Sequence, residues 1–452
     1  MDIVPKTECE IKRLTGINSL FNIQLSNARE TLLKPIIVYS PKIFAILSAA
    51  YYAVGMELAV DFLYNTGIGM ITEERNGKNM KKLGFGLMRL PLLDKTDAGS
   101  IDVEQVKQMV DAFLEKGFTY FDTAWMYCGF QSEKTAKIAL VDRHPRDSFT
   151  LATKLHGAFF NSLEDRDKVF NQQLENTGAG YFDYYLLHGI EAAMLPKYEE
   201  FDCFNWLLDK KEKGLVRHAG FSFHDTAELL DEILTKHPEM EFVQLQINYL
   251  DWESEWVQAR KCYEVAVKHN KQVIVMEPVK GGTLANVPAE AQKLFKDHAP
   301  DMSVASWAVR FAASLDNVMV VLSGMSSLEQ MNDNLSYMED FKPLTEEEKK
   351  LTHKVADIIN AQIAIPCTGC SYCTEGCPQK IAIPQYFSLY NEDMRENMEE
   401  KGWTVNFTNY EILAGKFGKA KDCIACGQCE GVCPQHLPII EHLKAVSGHY
   451  DH

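Results

Sequence analysis

Eight cysteines near the carboxy terminus carry the clearest chemical signal in the chain. They fall in two runs, CTGCSYCTEGCP with Cys367, Cys370, Cys373 and Cys377, and CIACGQCEGVCP with Cys423, Cys426, Cys429 and Cys433. A proline, Pro378 or Pro434, closes each run. A cubane iron–sulfur cluster needs four thiolates converging from several sides, and two-residue gaps let one tight loop present three of them. The fourth, carried past the loop and turned away by its proline, ligates the cluster of the other run. Two [4Fe-4S] clusters held by these eight thiolates are therefore expected. The alternatives are weaker. Structural zinc uses CxxC pairs and has no need of a third evenly spaced cysteine followed by CP. A disulfide framework suits a short secreted chain, not 452 residues that open without a signal peptide.

A second set of residues could move protons. Asp122 closes FTYFD, Tyr127 follows in the next loop, Lys154 closes FTLATK and His188 closes FDYYLLH. A hydride delivered to a carbonyl carbon leaves an oxyanion, which a nearby acid must protonate. A free tyrosine, with a pKa near ~10, is a poor acid at neutral pH, but an adjacent ammonium lowers that value. Lys154 is thus expected to acidify Tyr127, Asp122 to hold Lys154 charged and in place, and His188 to orient the carbonyl oxygen or pass a proton. Taken singly, each has a plain structural explanation, such as packing for Tyr127 or an N-cap for Asp122. Their joint placement is what points to catalysis.

Such side chains act together only if the elements carrying them converge. Between residues 80 and 345 a β-like segment followed by a helical pattern recurs eight times. The β-like segments are Leu83–Met88, Thr119–Asp122, Thr150–Lys154, Asp183–His188, Val216–Ser222, Phe242–Asn248, Gln272–Glu277 and Val318–Ser323. Among the intervening stretches, Val103–Leu114 has Val103, Val106, Val110, Phe113 and Leu114 at helical spacing. This α/β rhythm over about 260 residues predicts a (β/α)8 TIM barrel, which collects working residues at the C-terminal ends of its strands. A doubly wound open sheet is the alternative, but no GxGxxG follows the first strand.

FDTAWMY, LATKLH and YYLLHG resemble, in order and spacing, the catalytic segments of the aldo/keto reductase family. LGFGLMRLP at 83–91 and AGFSFH at 219–224 resemble its first and fifth strands, and the likeness spans about residues 80 to 345. The resemblance implies a small carbonyl substrate and a nicotinamide cofactor, NADPH or NADH, extended across the barrel mouth without a Rossmann unit. It further implies that Ser222 and Gln244 hold the carboxamide, and that Gly324, Ser326, Ser327, Gln330 and Asn334 in LSGMSSLEQMNDN serve the adenine end. Three positions depart from the family pattern. Met276, in VMEPVKGG, stands where an aromatic residue usually stacks on the nicotinamide, and Phe223 replaces a common asparagine. Gln330 stands where NADPH-dependent members often carry arginine, and a neutral amide binds a 2′-phosphate less strongly than a guanidinium. The choice between NADPH and NADH stays open. His156 and His224 read as wall residues of the same rim; Cys9, Cys128, Cys203 and Cys262 read as bystanders.

Residues 346–452 read as a linker helix and a 4Fe-4S domain. The helix is expected over Thr345–Asn360, opened by the capping-box pattern in TEEEKK. Between Cys377 and Cys423 lies an insert longer than a compact bacterial ferredoxin has, including a charged helical segment, Asn391–Lys401. The module resembles a two-cluster ferredoxin with an insertion, and the whole chain resembles a branch of aldo/keto reductases with such an appendage. Residues 1–79 form an extension of unknown role. Its uncharged stretch Ile43–Met56 is too short for a comfortable span, so a packed helix is expected rather than a membrane anchor, and the working start is expected near Met80.

Composition narrows the function. Hydrophobic residues at 46% supply a large core, and 46 basic against 63 acidic side chains give a formal charge of −17. Such a chain repels polyanions, so nucleic acid is excluded as the expected partner. A cytoplasmic location is expected. The expected activity is reduction of an aldehyde or ketone, with the clusters serving electron transfer or structure. The alternative is an electron-transfer protein that uses the barrel as a docking scaffold. A hydride carries two electrons and a cluster one, so exchange between the halves needs a mediator such as a flavin. No flavin motif is present in the sequence, which makes a ferredoxin or flavoprotein the expected one-electron partner.

Overall fold

The computed structural model describes residues 80–451, apart from 95–96, 255–256 and 396–403. Expectations about residues 1–79, Ile43–Met56 and Cys9 among them, and about the end of Asn391–Lys401 lie outside the described residues. Eight parallel strands form a closed barrel in chain order. They are β1 (Leu83–Gly86), β2 (Tyr120–Asp122), β3 (Thr150–His156), β4 (Phe182–Ile190), β5 (Val216–Phe223), β6 (Phe242–Gln246), β7 (Gln272–Met276) and β8 (Val318–Ser323). Closure is made by β1 against β8, with Gly84 opposite Leu322, which removes the open-sheet alternative. Because helices cover the outside and side chains fill the inside, strands such as LGFG and VMVVLS are buried along their whole length and do not alternate. Tyr120, Ala152, Tyr184, Phe242, Ile274 and Val320 belong to an inner cluster, separate from the larger one under the helices. The interior is a packed core, so the open space lies at one end.

Strand limits differ from expectation where backbone geometry intervenes. β4 runs on to Ile190 because Gly189, at φ +68°, absorbs a register shift against β5. β1 stops at Gly86, two residues before the expected end. The helix Val103–Glu115 starts at Asp102, whose carboxylate accepts from the Gln105 amide at 3.1 Å, and it buries Val106, Met109, Val110 and Phe113. The helix Glu346–Gln362 opens with the expected capping box: Glu348 N donates to Thr345 Oγ1 at 3.2 Å and Thr345 N to Glu348 Oε2 at 2.8 Å. Its Val355, Ala356 and Ile359 join the barrel core, so this helix packs on the barrel. Among the described residues no helix is long and apolar enough to cross a membrane.

The carboxy-terminal module has its own core, in which Cys373 and Cys429 are buried with Ile383, Tyr386, Phe387, Tyr410 and Leu443. Its insert is tied down by one carboxylate. Asp393, fully buried, accepts from Thr404 Oγ1 at 2.7 Å, Asn406 Nδ2 at 2.9 Å and Tyr450 Oη at 2.7 Å, which joins the helices Ile383–Arg395 and Val405–Ala414 to Ile439–Tyr450.

Candidate active site

The ends of β2, β3 and β4 bring Asp122, Lys154 and His188 together with Tyr127 from the loop after β2. Lys154 Nζ, with no exposed surface, donates to Asp122 Oδ1, to the Thr123 carbonyl at 2.8 Å and to Tyr127 Oη at 3.3 Å. Gln244 Nε2, from β6, donates to the other Asp122 oxygen at 3.3 Å. Burial pushes Asp122 up and Lys154 down, and each offsets this for the other. One expectation is corrected. Tyr127 is not acidified: burial pushes its phenol well above the ordinary value, and Asp122, Glu277 and Cys128 push the same way. Lys154 offsets only part of this, because Asp122 shares its charge. The arrangement therefore keeps Tyr127 protonated and releases that proton only to a stronger base formed beside it.

His188 lies edge-on to Tyr127 with ring centroids 6.0 Å apart, and edge-on to His156 at 5.3 Å. Its Nδ1 and that of His224 are buried and have no hydrogen-bond partner among the described residues. Burial holds His156 and His224 down to about 4, and His188 lies well below its usual value for the same reason. These rings are neutral in the folded chain. Once unfolded, a histidine takes up its proton near 6.5, so the stability owed to neutral rings is complete above that pH and is lost as pH falls toward 4. A denaturation midpoint that drops between pH 7 and pH 5, with a shallower drop in His224→Gln, is expected. Identical pH profiles for the two proteins would contradict it.

Tyr127, Asp122, His188, His224 and Gln244 line one cavity of about 330 Å³ at the barrel mouth. Gly324, Ser326, Gln330 and Asn334 line the same cavity, as does Met276. Gln330 Oε1 accepts from Ser326 N at 2.7 Å, Ser326 Oγ donates to the Arg89 carbonyl at 2.7 Å, and Asn334 Nδ2 donates to Ser323 Oγ at 2.6 Å. Ser222 is the exception. It does not line the cavity, and its Oγ accepts from the Gly189 amide at 2.7 Å, one layer behind the wall.

The eight cysteines sort into two cavities. Cys367, Cys370 and Cys373 share one with Cys433, and Cys423, Cys426 and Cys429 share the other with Cys377. Each set is three cysteines of one run and the last of the other, with apolar walls, and Ile383 lines both. Four thiols around an apolar hollow fit a cubane cluster. Among the described residues no three His, Cys, Asp or Glu side chains converge on a single-ion site.

Barrel and module belong to one compact unit, and the module closes over the barrel mouth. Cys370, Tyr372, Pro434 and Gln435 line the same cavity as Tyr127. The seat is polar and buried. Lys280 Nζ, 2% exposed, donates to Asp251 at 2.7 and 2.8 Å and to Gln435 Oε1 at 2.9 Å. Gln435 and Gln246 exchange hydrogen bonds at 2.8 and 3.1 Å, and Arg89 Nη2 donates to the Thr368 carbonyl at 3.1 Å. The loop after β7 is bent to make this fit, with Glu277, Lys280, Gly281 and Gly282 all at positive φ. At Gly281 a Cβ would meet the Thr368 carbonyl oxygen at 1.9 Å. Gly281→Ala is therefore expected to unseat the module and speed proteolysis between 360 and 451; wild-type protease resistance would refute this. Arg89, Lys280, Glu277, Tyr372 and Gln435 carry no sequence signal for a site beyond the glycine pair in VMEPVKGG. Glu277 adds one more carboxyl to the cavity; its buried Oε2 has no partner among the described residues, and desolvation pushes its pKa up.

Residues 82–357 match the model of the aldo/keto reductase family, and residues 366–437 match that of a 4Fe-4S dicluster domain. The chain belongs to the aldo/keto reductase family; it is an oxidoreductase of that family with a ferredoxin-type iron–sulfur domain after the barrel. It is similar to the uncharacterized oxidoreductase YqkF of Bacillus subtilis strain 168, at 24% identity over an alignment of 318 positions that covers 63% of this chain and 95% of that protein. The barrel also resembles the thermostable aldo-keto reductase Tm1743 in complex with the inhibitor epalrestat, at 22% identity and a TM-score of 0.50, over 60% of this chain and 94% of that one. An aldo-keto reductase from Klebsiella pneumoniae in complex with NADPH gives 18% identity and a TM-score of 0.50, over 61% and 91%. These two likenesses concern the fold.

Proposed function

We propose that the chain reduces a small aldehyde or ketone with NADPH or NADH, with Tyr127 as the proton donor, and that its module holds two [4Fe-4S] clusters. The observation that carries this reading is the hydrogen bond from Lys154 to Tyr127 beside a cavity that Gly324, Ser326, Gln330 and Asn334 also line. A bound nicotinamide supplies the hydride. Tyr127 Oη gives its proton to the oxygen as negative charge grows there, and Lys154 Nζ, already hydrogen-bonded to Oη, stabilises the phenolate left behind. Neutral His188 offers the same oxygen a hydrogen bond without adding a second cation. Gln244 steadies Asp122 and has an amide face in the cavity, which supports a part in holding the carboxamide. The Ser222 hydroxyl, set behind the wall, supports a bracing part.

Cys367, Cys370, Cys373 and Cys433 would hold one cluster, and Cys377, Cys423, Cys426 and Cys429 the other. The limits proposed are a barrel over 80–345, a cluster domain over 346–452 and an extension over 1–79. A cytoplasmic setting and a ferredoxin or flavoprotein as one-electron partner accompany this reading. Anaerobically prepared protein is expected to hold about eight iron and eight sulfide per chain and to turn over a panel of aldehydes and ketones with NADPH or NADH. Absence of turnover with both cofactors across the panel would end the carbonyl-reductase reading, and a metal-poor preparation would end the cluster reading.

A further inference from the structure

Cys370 and Gln435 each line two cavities. On one side both face the space that holds Asp122, Tyr127 and His188; on the other both wall the hollow formed with Cys367, Cys373 and Cys433. One side chain therefore separates the candidate proton donor's cavity from the cluster cavity. Tyr372, next to Cys373, lines the former as well. The wall is fixed by the buried contacts among Lys280, Asp251, Gln246 and Gln435, and by Arg89 on the Thr368 carbonyl. Met88, Met276 and Met325 line the same cavity. Their polarizable, unbranched side chains suit a flat apolar ring.

We propose that this wall passes single electrons. A conjugated carbonyl of the quinone class, bound against Tyr127, would take them one at a time from a cluster held by Cys367, Cys370, Cys373 and Cys433. The inference rests on the iron–sulfur content and the Tyr127 role proposed above, and goes beyond them in needing no nicotinamide. An isolated aldehyde cannot stabilise a single added electron, whereas a conjugated ring spreads it; the wall thus selects the substrate class. The balance closes. The cavity of Cys367, Cys370, Cys373 and Cys433 and the outer one of Cys377, Cys423, Cys426 and Cys429, which share Ile383, would each hold a group that supplies one electron, and one quinone would take both electrons and two protons to become a hydroquinone. Each proton leaves Tyr127 Oη, which lines the cavity and takes its replacement from solvent entering there, while Lys154 Nζ, 3.3 Å away, stabilises the phenolate in between. A one-electron donor protein refills the clusters.

The test uses the holoprotein, reduced with dithionite and desalted under anaerobic conditions. Added 1-naphthol, which cannot be reduced here, is expected to change the electron paramagnetic resonance spectrum of the reduced protein by occupying the cavity beside Cys370. Reoxidation of the clusters by 2-methyl-1,4-naphthoquinone, followed by visible absorbance without nicotinamide, is expected to slow at least about tenfold in Met276→Trp. That residue lines the barrel cavity and not the cluster cavity. A spectrum indifferent to naphthol overturns the proposal on wild-type protein alone; equal reoxidation rates in a Met276→Trp protein of full iron content overturn it too, by sending the electrons out through the outer cluster. The nicotinamide-driven reading is tested separately by carbonyl turnover, so either can fail without the other.

Discussion

Tyr127→Phe is expected to cut turnover of a test aldehyde by about 10²- to 10⁴-fold, in kcat rather than KM, with no change in the cluster spectrum. The substitution removes one oxygen. The ring, and with it the edge contact to His188 and the position 4.8 Å beneath the Lys154 ammonium, is kept. Lys154 also keeps Asp122 and the Thr123 carbonyl as partners, so no buried charge is stranded and thermal stability should hold. That separates it from Lys154→Met, which leaves a buried carboxylate with the Gln244 amide but no cation and should lose stability as well as activity. A Tyr127→Phe protein with wild-type kcat would remove Tyr127 from the chemistry.

Lys280→Met is expected to have the largest effect on stability, about 3–5 kcal/mol. Lys280 and Asp251 are 2% and 5% exposed, and losing the ammonium strands a carboxylate in the interior. Gln246 and Asn248 continue to donate to that carboxylate, at 2.9 and 2.8 Å, but two neutral amides do not replace a cation. The Gln435 contact is lost with it, so the module should loosen over the cavity. The double variant Lys280→Met with Asp251→Asn should recover part of the loss, since no charge is then unpaired. Denaturant midpoints of the three proteins decide this, and a single variant within about 1 kcal/mol of wild type would show that the ion pair is not what seats the module.

Local features were legible because they act over short stretches of chain. The eight strands, the capping box at Thr345 and Glu348, and the CP-terminated cysteine runs are each settled by neighbours a few residues apart. The ends of β4 were less so, since the Gly189 bulge depends on pairing with β5. The pKa direction of Tyr127 was misjudged for a related reason. Proximity of Lys154 could be anticipated from strand order, but burial could not, and burial outweighs a cation already matched by Asp122.

Cysteine spacing, strand rhythm and the polar residues closing β2, β3 and β4 were enough by themselves to define a barrel followed by an iron–sulfur module. The exchange of Cys433 and Cys377 between the runs was also expected from spacing, whereas only the tertiary structure decided that the module sits on the barrel mouth and that Tyr372 and Gln435 wall the same space as Tyr127. Those contacts join residues far apart in the chain, such as Gln246 and Gln435, 189 positions apart. Their partners are chosen by the shape and buried polarity of two finished surfaces, and neither surface exists until each half has folded.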